Sequence, residues 1–191
     1  MLIIGLHGRA RTGKGRITEH LVVAHNFDAY AFADPIWAMV GAAFDVDMER
    51  LDYDGPYKEA QLPGMRHSPR ELAQHFGDAG RQLDRFLWIN NLAARIERAI
   101  LLHDCDEGEQ RILITDIRTN DEAEYVQSLG GHIWHVTRPD APLVRAHFTE
   151  RTLDTKYINN GVVNDGTLEQ LYARVDALLR QHPMYGQVIG E

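Results

Sequence analysis

At 191 residues, with 44% hydrophobic and 25% charged side chains, the chain can bury a central sheet in one domain, and its balance excludes a disordered or fibrous protein. Its net charge of -8 disfavours stable nucleic-acid binding, because the surface as a whole repels a phosphate backbone. The single cysteine, Cys105, excludes an internal disulfide, and no apolar run reaches bilayer length, so a cytoplasmic protein without membrane contact is expected.

Leu2 to Leu6 is an apolar run entering glycine-rich sequence, the pattern of a strand buried on both faces. After HGRARTGKG, the spacing of Ile17, Leu21, Val22 and Ala24 predicts a helix from near Gly13 to near His25. Ala29 to Ala33 is expected as a second strand with Asp34 at its carboxyl end, and Pro35 suits the first turn of a helix reaching about Phe44. Asp45 to Met65, with Gly55, Pro56, Pro63 and Gly64, lacks clear periodicity and reads as irregular or partly helical. Ser68, Pro69, Arg70 and Glu71 form a capping box that starts another helix. The next runs from about Leu87 to His103, turning Leu87, Leu92, Ala93, Ile96 and Ile100 inward.

Ile112 to Thr115 is a third strand, and a helix capped by Thr119 or Asn120 stops at Leu129, Gly130 and Gly131. His132 to Val136 is a fourth strand; Pro142 to Arg151 reads as a short helix, Lys156 to Ile158 as the last strand and Leu168 to Arg180 as the closing helix. This alternation calls for an α/β fold of three layers, a parallel sheet of about five strands with helices on both faces. Ligands bind such sheets beyond the strand carboxyl ends, where Gly8 to Gly15, Asp34, Asp116 to Arg118 and Arg138 should converge.

Gly8, Gly13 and Lys14 have the spacing of a phosphate-binding loop, directly after a buried strand and before a helix. Glycines permit the tight turn, backbone amides and the helix start cradle phosphate oxygens, and the lysine bridges to the transferred group. One position departs from the pattern: after Lys14 stands Gly15, not the Ser or Thr whose hydroxyl binds Mg²⁺, and then Arg16, a cation for the phosphates. Asp116, closing the strand Ile112 to Thr115, is placed to hold Mg²⁺ through water, and Arg118 beside it is a phosphate or carboxylate partner. Structural zinc is not expected, since there is no His-Glu-x-x-His array and His132 and His135 fall on opposite faces of a strand.

The ordered pieces GRARTGK, FADPI, YKE, SPREL, GDAGR, LWINNLA, ITDIRTNDEAEYVQSLGG, VTRP, HFTE and NDGTLEQLY resemble the phage-type deoxynucleoside monophosphate kinases over nearly the whole chain. The resemblance implies a P-loop kinase fold in one domain, 1–191, with an acceptor-binding insertion at about 34–90 and a lid at about 138–156. It implies ATP as donor, Mg²⁺ as cofactor and a deoxynucleoside monophosphate as acceptor. Carried over by position, Arg11, Thr12, Gly13, Lys14, Gly15 and Arg16 surround the donor phosphates. Asp34, Ile36, Trp37, Lys58, Arg70, Arg81, Trp88 and Arg118 serve the acceptor, with Arg70 clamping its phosphate. Lys14, Asp116 and Arg138 act on the reacting groups, Arg138 from the lid with His147, Glu150 and Arg151 beyond it. Asn164 to Thr167 match a closing turn that either approaches the adenine or simply caps a helix. Trp37 and Ala79 depart from the family pattern near the acceptor, so base and sugar preference do not transfer, and homodimerisation is left open. Two other readings stand beside this one: a nucleotide-binding module without turnover, and a kinase for another small acceptor such as dephospho-coenzyme A or shikimate.

Overall fold

The computed structural model describes residues 1–53, 55–102, 110–141 and 153–185. Five strands, β1 (Leu2–His7), β2 (Asp28–Tyr30), β3 (Arg111–Ile117), β4 (His132–Thr137) and β5 (Asn160–Val163), form one sheet in the order β2-β3-β1-β4-β5. Every neighbouring pair is parallel. The helices are α1 (Lys14–His25), α2 (Asp34–Phe44), α3 (Met48–Tyr53), α4 (Gly55–Glu59), α5 (Pro69–Leu83), α6 (Leu87–Leu102), α7 (Asn120–Ser128) and α8 (Leu168–Gln181).

β1 is central and buried along its whole length, which is why its sequence is a continuous apolar run. Successive side chains take opposite faces, so Leu2, Ile4 and Leu6 share one. There they pack with Ile17 and Leu21 of α1 and Leu171, Val175 and Leu179 of α8. Gly5 faces the other way, against Ile117 and Val126 of α7; a β-carbon there would overlap Ile117, so the absent side chain is what admits that layer. The sheet is thus covered on both faces, as the alternation of elements requires.

Capping boxes start α5, α7 and α8, at Ser68 with Glu71, Thr119 with Glu122 and Thr167 with Gln170. Each satisfies two amides that a helix start otherwise leaves open. The chain groups into two compact units, Met1–Ala31 with Ile96–Glu191, and Phe32–Arg95. The first holds the sheet. The second has its own core of Val40, Val46, Leu51, Leu62 and Leu72, with Trp37, Phe44 and Phe76 packed against it.

Several local expectations are corrected. The segment Lys156 to Ile158 is not a strand: Thr155–Tyr157 is a 3₁₀ turn, and the last strand is Asn160–Val163. Asparagine and glycine are poor strand formers, which hid it from a propensity reading. Tertiary pairing compensates, since Asn159 donates its amide to the Ile133 carbonyl at 2.9 Å and accepts from the Ile133 amide at 2.7 Å. The second strand ends at Tyr30, so Asp34 opens α2 instead of closing a strand. The stretch read as irregular folds in part into α3 and α4. Along α6 the buried stripe is Trp88, Ile89, Leu92 and Ile96, while Ile100 is exposed; periodicity marks a face but not how far along it a neighbour extends. The helix expected at Pro142 to Arg151 lies outside the described residues, as do Cys105, His147, Glu150 and most of the expected lid. No helix among the described residues is long and apolar enough to cross a membrane.

Candidate active site

β1 delivers the chain to the loop Gly8 to Gly13, and α1 leaves it. Gly8 has φ 148°, and a β-carbon there would overlap the Val136 carbonyl oxygen, so the loop closes against β4 only because this residue has no side chain. Arg11 and Gly13 are also left-handed, at φ 64° and 108°. No side chain caps α1 at Gly13, unlike α5, α7 and α8. Its first-turn amides and the positive end of its dipole are therefore what an anion meets.

Side chains hold this loop from within and without. Thr12 is buried, and its hydroxyl donates to the Arg9 carbonyl at 2.9 Å. The Lys14 ammonium lies across the loop, donating to the Gly8 and Arg9 carbonyls at 2.5 and 2.8 Å. From the end of β5, the Asn164 side chain donates to the Thr12 carbonyl at 3.0 Å, while its backbone amide donates to the Thr137 carbonyl at 2.7 Å. A β-carbon at Gly13 would come 2.5 Å from Asn164 Nδ2, so asparagine and glycine fit as a pair.

Asp116 lies in β3 one residue before Ile117, which pairs with His7, so it stands at the sheet edge from which the loop leaves. The Arg118 backbone amide donates to Glu122 at 2.7 Å. Glu122 is buried and also accepts from the Thr119 amide at 3.0 Å, fixing the turn that carries Arg118. His7 and His135 stack at this edge with ring centroids 5.0 Å apart, and His7 Nδ1 donates to the Ile117 carbonyl at 2.9 Å. Burial lowers the His7 pKa to about 4, helped by His135, Lys14 and Arg118 and opposed by the bond to Ile117. Burial likewise lowers His135, with Lys14 and Arg9 adding to it. Burial is thus the main reason both imidazoles stay neutral, and the nearby cations Lys14, Arg9 and Arg118 act in the same direction.

Sequence reading missed His7, Arg9, His135 and the contact of Asn164 with the loop. The glycine spacing pointed to the loop, but no local signal marks a histidine stack built from two strands. Of the other residues expected near the donor, Arg16 pairs with Glu19 at 2.8 Å on the exposed side of α1. Gly15 is exposed, and a β-carbon there would meet nothing within 4 Å. Arg138 is exposed just after β4.

In the second unit, Asp34 at the start of α2 accepts from Arg95 at 2.6 Å. Arg70, one residue into α5, is held by Glu59 at 2.5 Å, and Arg81 by Asp78 at 2.9 Å. Lys58 Nζ is 5.8 Å from the centre of the Trp37 ring. Ile36 and Trp88 are packing residues: Ile36 lies against Gly77, and Trp88 beneath Gly80, where its N–H donates to the Gly77 carbonyl at 2.9 Å. The Trp88 indole therefore presents no polar atom to a ligand, and shapes this unit from inside.

A sequence model of the family described as deoxynucleotide monophosphate kinase matches residues 65–175. The chain is 24% identical over 189 residues to a putative deoxynucleotide monophosphate kinase of Acanthamoeba polyphaga mimivirus, covering 92% of this chain and 94% of that one. It is 32% identical over 68 residues to the deoxynucleotide monophosphate kinase of Escherichia phage RB69, covering 36% of this chain and 28% of the phage protein. Among solved structures, TT1252 from Thermus thermophilus superposes with a TM-score of 0.50 at 20% identity, over 94% of this chain and 97% of that one, a likeness of fold.

Proposed function

The chain belongs to the deoxynucleotide monophosphate kinase family, and from that premise we propose that it transfers the terminal phosphoryl group of ATP to a deoxynucleoside monophosphate, giving ADP and a deoxynucleoside diphosphate. The observation that carries the donor half is the loop itself: an uncapped helix start, glycines in left-handed conformations, and a lysine laid along the same turn. Arg11 to Arg16 line the donor phosphates, with Lys14 neutralising the charge that develops on transfer and Arg138 adding to it. In the second unit Arg70 receives the acceptor phosphate, with Glu59 holding its guanidinium ready, while Asp34, Trp37, Lys58 and Arg81 supply further polar and aromatic contacts. Arg118 is a further phosphate partner. Ile36 and Trp88 support the acceptor residues by packing.

The residues present fit Mg²⁺ in a modified form. Gly15 brings no hydroxyl, the Thr12 hydroxyl is buried and directed at Arg9, and Asp116 at the sheet edge is a carboxylate that would hold the ion through water. When bound, Mg²⁺ offsets negative charge on the donor phosphates. The single cysteine fits a reducing cytoplasm, that of a host cell if the chain is viral like its relatives.

The test is ADP formation from ATP and Mg²⁺ against a panel of deoxynucleoside and ribonucleoside monophosphates, with an acceptor-free control. Acceptor-dependent ADP with a matching nucleoside diphosphate is expected. Nucleotide binding without turnover on any acceptor would favour the alternative raised by Gly15, a binding module that has lost catalysis.

A further inference from the structure

On the face of the sheet covered by α1 and α8, two histidines and a carboxylate meet that the phosphoryl-transfer reading does not use. His20 Nε2 lies 2.6 Å and His25 Nε2 2.9 Å from the same oxygen of Asp176, Oδ1. Three donor atoms, one from each residue, all fall within 4.8 Å of one another. We propose that His20, His25 and Asp176 form a binding site for a divalent cation of the zinc class, which fastens α1 to α8.

The donor set selects the ion. Two imidazole nitrogens and one carboxylate oxygen suit Zn²⁺, whereas Mg²⁺ and Ca²⁺ favour all-oxygen shells. Tetrahedral Zn²⁺ with bonds of about 2.0–2.1 Å places its ligands about 3.3 Å apart. The two histidine-to-aspartate distances therefore have to open by about 0.7 and 0.4 Å, a side-chain adjustment. The three side chains are 14%, 16% and 28% exposed, so water can supply the fourth ligand from the open side.

The surroundings are organised as metal sites require. Asp176 is ready as an anion: burial pushes its carboxyl up, but the hydrogen bonds from His20 and His25 outweigh that and hold it below the ordinary carboxylate range. His25 Nδ1 is 3.1 Å from the Tyr185 hydroxyl, a group that both donates and accepts. It can donate to Nδ1 while Nε2–H points at Asp176, and accept from Nδ1–H once Nε2 gives its lone pair to a metal. Tyr185 is itself seated beneath Arg111, whose guanidinium lies 5.1 Å from the ring centre and also donates to the His25 carbonyl at 2.9 Å. The His20 ring stacks on Tyr172 of α8 at 4.2 Å and is set nearly parallel to it. Each imidazole thus has a neighbour that fixes its plane, beyond what a bare His–Asp hydrogen bond needs.

The experiment uses the full chain, stripped with EDTA and desalted, with no nucleotide present, and titrates Zn²⁺ against a chromophoric competing chelator. One Zn²⁺ per chain is expected, undisturbed by millimolar Mg²⁺. Asp176→Asn and His20→Gln should each weaken it by roughly tenfold or more, and His132→Gln should leave it unchanged. Co²⁺ should give visible bands of tetrahedral intensity that both site variants lose, and Zn²⁺ should raise the Tm of the native chain but not of the variants. If Asp176→Asn fails to fold by circular dichroism, His20→Gln, which keeps a side-chain amide donor, decides the matter. Absence of stoichiometric binding, or binding that survives in a folded site variant, overturns the proposal. Neither result bears on phosphoryl transfer, because binding is read without nucleotide.

Discussion

Gly80→Ala isolates the contact on which the second unit's shape depends. A β-carbon at Gly80 would lie 2.6 Å from Cε2 and 2.9 Å from Nε1 of Trp88, well inside the ordinary carbon contact of about 3.5–4.0 Å. The indole must move by about an ångström, and its hydrogen bond to the Gly77 carbonyl goes with it. Overpacking of this kind costs about 1–3 kcal/mol, and the buried indole N–H left unsatisfied about 1–3 kcal/mol more. The better helix propensity of alanine returns about 1 kcal/mol. A net loss of about 3 kcal/mol follows, which for a protein of this size lowers Tm by roughly 6–12 °C. Thermal and urea unfolding by circular dichroism measure it. Trp88→Phe removes the ring atoms in conflict, so the double variant should regain at least about 1 kcal/mol relative to additivity. A single variant as stable as the native chain, or strict additivity in the pair, refutes the reasoning.

Four further outcomes are expected. Gly15→Ser has open space around it, so it should fold with a gain of about 0.5 kcal/mol in helix propensity and lower the Mg²⁺ needed for half-maximal turnover several-fold; an unchanged Mg²⁺ requirement would contradict the role given to the missing hydroxyl. Asn164→Ala removes the bond to the Thr12 carbonyl, worth about 1 kcal/mol, and should raise the KM for ATP about fivefold without changing that for the acceptor; a fall in Tm alone would make Asn164 merely structural. Arg70→Ala should raise the acceptor KM by about tenfold or more and leave that for ATP nearly unchanged, whereas equal loss of both would count against its assignment. His7 titrates at about 4 when folded against an ordinary 6.5, so the unfolded chain binds a proton that the folded chain refuses. Stability should then fall as pH drops from 6.5 to about 4 and level off below, by at most roughly 3 kcal/mol at 1.36 kcal/mol per pH unit. Urea unfolding at several pH values checks it, and the slope should shrink in His7→Asn.

Much of the fold was legible because its signals are local. The apolar run of β1, the capping box at Ser68, a cap at Thr119 and the glycine spacing around Lys14 each act within a few residues, so chain order alone carries them. β5 escaped because its asparagine and glycine are held by pairing with β4, and Ile100 misled because helical spacing does not say where cover ends. The glycine loop after β1 and Asp116 near the end of β3 could be located along the sheet edge from the sequence, since both sit at strand ends of a parallel sheet.

The groups around them could not be placed that way. His7 acquires its lowered pKa chiefly from burial within the fold, with His135 and Lys14 on other segments adding to it, and Asn164 reaches Thr12 across 152 positions of chain. His20 and His25, five apart, match no ligand motif, and Asp176 becomes their partner only because α8 packs along α1. The sequence by itself determined most of the elements, their parallel arrangement and the glycine loop before Lys14, because hydrophobic period, capping and glycine freedom depend on neighbours along the chain. Tertiary structure alone decided which distant side chains share a field, a hydrogen bond or a cation site, because Coulomb energy and coordination depend on separation in space.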